Sequence, residues 1–141
     1  MALALLTAIG AALAADSTYM ALATSGVHNS MAPPKTAPPF GIFYQVPAAG
    51  PEYVFGGEEA FDEILIAHKG VASDGTTAGA DLAEQIRERG KTVLHNAALS
   101  VTGFTLLSIL CDQPMPQMWE NVGGVIRFHR GDYFRVMLQK A

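Results

Sequence analysis

Four histidines, one cysteine and two pairs of adjacent acids are the residues here whose chemistry invites a catalytic or metal-binding reading. His28, His68, His95 and His129 fall in four separate stretches, and none pairs with another His, Cys or acid at metal-ligand spacing. They read as separate surface or capping histidines. Cys111 lies between Leu110 and Asp112, which supply no positive charge to lower its pKa, so it reads as a small apolar residue. Asp62 and Glu63 are neighbours on a strand-like run and would point to opposite faces, which rules out a working carboxylate pair. Glu58 and Glu59 follow two glycines and read as solvated loop charge, or, more sharply, as a contact with a partner.

Familiar motifs are missing. There is no glycine-rich phosphate loop followed by Lys and Ser/Thr, and no nucleophile elbow. Arg130, Gly131 and Asp132 match the integrin-binding tripeptide, but they sit between two strand-like runs, where turn chemistry explains them better. No catalytic residue, cofactor or metal is expected.

The elements that would position any site can be read from periodicity. Residues 1–16, "MALALLTAIGAALAAD", resemble an export signal in composition, yet the first basic residue is Lys35, and a signal needs a charged start. The run is also too short to cross a bilayer, which takes roughly 20 residues. Leu6, Ile9 and Leu13, with Leu3 one turn earlier, fall on one helical face, so a retained helix is expected. Asp16 or Ser17 would cap a short second helix ended by Gly26. Pro33, Pro34, Pro38 and Pro39 make the next stretch a loop or extended connection. "FGIFYQVPA" reads as a strand, and residues 60–72 as a strand with a wet and a buried end.

The clearest helix is "ADLAEQIRERGKTVLHNAAL". Its apolar stripe is Leu82, Ile86, Val93 and Ala97 with Leu94 beside it, while Glu84, Arg87, Glu88 and Lys91 face water. Gly90 inside it costs about 1 kcal/mol relative to alanine and predicts a bend or a close packing contact. "VTGFTLLSILCD" is nearly continuously apolar, which predicts a central strand covered on both faces. After Pro114 and Pro116, "GVIRFHRGDYFRVMLQ" is either a hairpin turning at Gly131 or one long strand bent there. Residues 1–141 thus form one α+β domain, with a mainly antiparallel sheet and an N-terminal helix and one long helix packed on one face.

Charged residues make up 16% of the chain against about 25% in ordinary globular domains, and hydrophobic residues make up 50%. So little charge implies burial against copies of itself or a partner. The lone cysteine cannot close an internal disulfide, which favours a reducing compartment. The net charge of −4 and the scatter of nine basic residues offer no footprint for tight nucleic-acid binding. A polyanion would pass nearby without sticking.

From "GADLAEQIRERGKTVLHNAALSVTGFTLLSIL" through the proline-broken segment to "VIRFHRGDYFRVMLQ", the chain resembles the tail terminator, or tail completion, proteins of long-tailed bacteriophages. The likeness is one of element order: N-terminal helix, proline-containing stretch, strands, one long helix, a turn at a glycine such as Gly103, and a strand near the C-terminus. It implies a hexameric ring at the head-proximal end of a siphophage tail tube, assembled in the host cytoplasm. One side would meet the tail tube protein and stop polymerisation; the other would receive the head connector or stopper protein. DNA would pass through the lumen without specific binding, and no membrane is involved. The segments expected to make ring and tube contacts are Tyr53, Val54, Phe55, Glu58 and Glu59, then Met115, Met118 and Trp119. Trp119 is the only tryptophan, a residue type enriched at interface hot spots; otherwise it lids the sheet. Competing readings are a head-completion or connector-stopper protein, a small ligand-binding or enzymatic domain using Cys111 or a histidine in a concave pocket, and an exported adhesive protein using the Arg130–Asp132 tripeptide.

Overall fold

A computed structural model of the chain describes residues 2–47, 51–53, 59–73 and 77–141. Helix α1 spans Ala2–Ala15 and α2 spans Ser17–Leu22. Strands β1 (Val27–Asn29), β2 (Phe40–Val46), β3 (Pro51–Tyr53) and β4 (Glu59–Ala72) follow. Helix α3 (Thr77–Leu94) then leads to β5 (Phe104–Pro114), β6 (Met118–Val122) and β7 (Val125–Lys140). The seven strands form one sheet in the order β1-β2-β4-β7-β5, with β3 added on β4 and β6 on β7. Only β1–β2 is parallel, so the α+β, mainly antiparallel class holds.

The buried face of α1 is Leu5, Ile9 and Leu13, which recur at i, i+4 and i+8. This corrects the expected stripe by one position at its start: Leu3 is exposed and Leu6 only half-buried. The helix gives way to α2 at Asp16, whose carboxylate accepts the Tyr19 amide at 2.7 Å as an N-cap. Arg89 of α3 donates to both oxygens of the same carboxylate at 2.9 and 2.8 Å, latching the long helix to the α1–α2 corner. That guanidinium is the main reason the Asp16 carboxyl is held below its ordinary range.

Packed on this side are Ile64 and Ile66 of β4 and Phe134, Val136 and Leu138 of β7, which face Ile86 and Leu94 of α3. Glycines permit the close approach. A Cβ at Gly70 would stand 2.6 Å from Ile86 Cβ, and one at Gly41 would stand 1.8 Å from the Tyr19 hydroxyl. Gly90 makes the close contact its place in the helix predicts: a Cβ there would lie 2.1 Å from the ring of His68.

Helix α3 ends at Leu94, short of the expected Leu99, for a local reason. Asn96 adopts φ 57°, a left-handed conformation that asparagine tolerates, and its amide turns away to donate to Ile109 O at 2.7 Å. Arg87 is also not the water-facing residue its pattern predicts. It is half-buried and paired with Asp132 of β7, a partner 45 residues away.

Strand β5 overturns the expectation of a central, doubly covered strand. It lies at the end of the strand order, and only its helix-facing side is packed: Ile109 is buried while Leu107 and Leu110 are exposed. Strand β7 settles the alternative left open at Gly131 in favour of one continuous 16-residue strand. It pairs with β4 along one side; along the other it pairs with β5 over its C-terminal part and β6 over its N-terminal part. Pro114 and Pro116, which have no amide to donate, separate β5 from β6. The chain is tied across this break by Met115 N donating to Gly131 O at 2.8 Å. The turn lies instead between β6 and β7, at Gly123 (φ 59°) and Gly124 (φ 86°), the two-residue positive-φ loop that matches strand twist.

Candidate interaction surface

The residues with reactive side chains are dispersed and mostly committed to structure. Among the described residues no group of three or more His, Cys, Asp or Glu could hold a metal. His68 and His129 are buried, not surface residues as expected. His68 Nε2 lies 2.7 Å from the Tyr19 hydroxyl, beneath α3, and burial pushes its pKa down to about 4. His129 Nε2 lies 2.9 Å from Glu120, yet burial, with Lys69 nearby, still lowers its pKa. His95 Nδ1 accepts the Cys111 amide at 2.9 Å, so the imidazole nearest Cys111 meets its backbone. Burial and Asp132 raise the thiol pKa, the reverse of nucleophile activation.

The Arg130–Asp132 tripeptide is equally occupied. It lies within β7, not at a turn. Asp132 is 1% exposed and held by two guanidinium nitrogens of Arg87, at 3.0 and 3.1 Å. Gly131 leaves room for the Met115 side chain, whose sulfur is 2.7 Å from where a Cβ would stand. A receptor could not reach that aspartate without opening the α3–β7 contact.

Among the described residues two of the surface clefts bear on a site; a further one of about 360 Å³, between the proline loop and Val122, Val125 and Arg127, adjoins the second. One of about 620 Å³ runs between residues 96–102 and the first half of β5, and none of its lining residues is an acid, a base or a cysteine. The other, of about 390 Å³, separates the proline loop from the β6–β7 hairpin. Lys35, Arg127, His129 and Glu120 rim an apolar floor that includes Phe40 and Val71. Neither converges reactive groups on a point as an active site does.

Exposed apolar side chains are concentrated on the β6–β7 hairpin. Trp119 is 65% exposed, and Met118, Val122 and Val125 are exposed with it. All five residues of β6 are open to solvent. Register places Trp119 opposite Phe128 on one face, where the Arg130 guanidinium lies 5.8 Å from the Phe128 ring centre. Trp119 therefore does not lid the sheet.

Of the residues expected to make contacts, Met118 and Trp119 fall together on this hairpin. Met115 is half-buried against Gly131. Tyr53 and Glu59 pair across β3 and β4, at the opposite end of β4 from the hairpin. Val54, Phe55 and Glu58 lie outside the described residues. Val122 and Val125 were missed, although the Gly123-Gly124 pair between them is a hairpin signal in its own right. Leu107 and Leu110 were misassigned to a covered interior.

No protein-family model matches the sequence, and no curated protein is significantly similar to it. The fold is nevertheless found in solved structures. A chain from the virion of a native gene transfer agent particle superimposes with a TM-score of 0.61 at 18% identity, the match covering 94% of each chain. A second solved chain matches with a TM-score of 0.58 at 16% identity, over 94% of this chain and 93% of the other.

Proposed function

We propose that this chain is a non-enzymatic structural protein of a phage-like particle. In that role it forms a ring at the head-proximal end of the tail tube, ends tube polymerisation and provides the joint to the head connector. The observation that carries this reading is the fold shared, nearly end to end, with a chain of a gene transfer agent virion. The fit of the surface to such a role supports it. A chain with 16% charged residues exposes Met118, Trp119, Val122 and Val125 on the projecting hairpin and Leu107 and Leu110 on an edge strand, besides Leu3 and Met31 elsewhere, apolar surface that a subunit can give to neighbours.

A tube grows because each ring repeats a head-to-tail contact. A terminator must satisfy the last ring without presenting the same surface again, which needs two unlike sides. The sheet supplies unlike ends, the apolar β6–β7 hairpin at one and the paired β3 and β4 strands at the other. DNA crossing such a ring would meet a chain of net charge −4 with no basic track to hold it. A hexamer is the stoichiometry of the tail terminators this chain resembles.

Removing the gene and imaging the particles tests the role. Overlong or unjoined tails beside filled heads are expected. Heads that leak DNA beside tails of normal length would assign the chain to the connector-stopper position instead.

A further inference from the structure

We infer that the groove between the proline loop and the β6–β7 hairpin binds an extended acidic segment of a partner protein. This use of the groove is independent of where in a particle the chain sits.

The strand side chains of the groove belong to one face of the sheet. Gly70 meets Ile86 of α3, so its neighbour Val71 points away from the helices. Register sets Phe40, Val71 and His129 side by side across β2, β4 and β7. Alternation along the hairpin adds Arg127 and Val125 of β7, opposite Glu120 and Val122 of β6, to the same side. Phe40, Ile42 and Val71 make an apolar floor. The loop wall is closed on itself by Thr36, whose amide and hydroxyl both donate to Pro33 O, at 3.1 and 2.6 Å. Ser73 Oγ donates to Ile126 O at 2.6 Å and holds the end of β4 to the hairpin wall. The clefts of about 390 and 360 Å³ share Lys35, Thr36, Val122 and Arg127, so they are two parts of one groove. From His129 to Val125 the hairpin wall runs about 14 Å, the length of about four extended residues.

Charge selects the occupant. Lys35 and Arg127 line both parts, and neither has an ion-pair partner among the described residues. Glu120, the carboxylate in the lining, is engaged by His129 Nε2 at 2.9 Å and also lies in the field of Lys69. The groove is thus positive over an apolar floor, in a chain of net charge −4. His129 is 8% exposed and its Nδ1 has no hydrogen-bond partner. With Nε2–H donated to Glu120, Nδ1 is left as an acceptor for a backbone amide. A segment with carboxylates for the two cations and apolar side chains between them matches this pattern. Duplex nucleic acid matches it less well, because its phosphates call for a longer run of cations and it brings nothing to the floor. A second copy has few carboxylates to offer among the described residues. Arg87 holds Glu84 and Asp132, Arg135 holds Glu63 and Asp112, and Arg89 holds Asp16. Asp62, Asp81 and Glu88 lie inside β4 and α3.

The test presents the folded full chain to a displayed library of random short peptides. Selection is expected to enrich peptides that interleave acidic and apolar residues. One of them, fluorescently labelled, should bind the parent in an anisotropy titration that weakens with salt. Lys35→Gln/Arg127→Gln should lower that affinity about tenfold and Lys35→Glu/Arg127→Glu about a hundredfold, with the parent's circular dichroism and melting curve kept. Val122→Ser/Val125→Ser, at exposed positions, should weaken it as well. Selected peptides that are neutral or basic, or acidic ones that bind the charge-reversed variant as tightly as the parent, would overturn the proposal. So would self-association of the parent, or binding of a duplex oligonucleotide, that charge reversal abolishes while no peptide is selected. The gene-removal experiment tests the virion role separately.

Discussion

Arg87 and Asp132 form a two-pronged ion pair across the α3–β7 interface, with Nε and Nη2 each donating to a different carboxylate oxygen. The two partners are unequally buried: Asp132 is 1% exposed and Arg87 22%. Removing the arginine strands a buried carboxylate, whereas removing the carboxylate leaves a guanidinium that can still reach water and Glu84. Arg87→Ala should therefore cost about 3 kcal/mol and Asp132→Asn clearly less, read from urea denaturation of the two variants. Equal losses would contradict this asymmetry.

A second relationship reverses a textural rule of helices. Replacing an interior helical glycine by alanine ordinarily gains about 1 kcal/mol. At Gly90 the new methyl would fall on the His68 ring, which is fully buried and bonded to Tyr19. Gly90→Ala should instead lower stability by about 1–3 kcal/mol. The penalty should shrink when His68 is also replaced by alanine, a coupling that a double-mutant cycle measures.

His68 also sets a pH dependence. Its pKa is about 4 in the fold against 6.5 as an ordinary histidine, the shift caused by burial. Between those values the unfolded chain takes up a proton that the folded chain refuses. Stability from this group is therefore complete above pH 6.5 and falls as pH drops towards 4, by up to about 3 kcal/mol. His129, also lowered by burial, acts in the same direction. Urea midpoints from pH 7 to 4.5 should decline, and His68→Gln should flatten that slope whatever its effect at pH 7. An unchanged slope would count against the assignment.

At the hairpin, stability and assembly should separate. Trp119 is 65% exposed, so Trp119→Ala should shift stability by no more than about 0.5 kcal/mol. Its effect should appear in assembly, as particles with fewer joined heads and tails. A large drop in melting temperature would instead mark Trp119 as part of the core.

What the sequence revealed, and what it hid, follows from how locally each feature is determined. Elements buried on one side announce themselves: Ile9 and Leu13 in α1 and the alternation of β4 are written in their own spacing. Strand β6 is exposed throughout and leaves no such trace. Neither does β1, whose three residues gain their structure by pairing with β2, Val27 beside Gly41 and Asn29 beside Phe43. The apolar run of β5 correctly gives a strand but not its place, because hydrophobicity records what could be covered and Leu107 and Leu110 are not covered within one chain. Arg87 looked solvated because its partner is distant in sequence. Of the exposed residues, Trp119 and Met118 stand out by residue type, while the turn that projects them is marked only by Gly123 and Gly124.

The central claim, that this chain ends tail-tube growth, is tested most directly by adding the purified protein to tail tube protein that is polymerising. The account predicts that elongation stops at protein levels far below those of the tube subunit, with one ring bound at a single end of each tube. Tubes that keep lengthening at the same rate, with the protein left in solution or scattered along their walls, would contradict it.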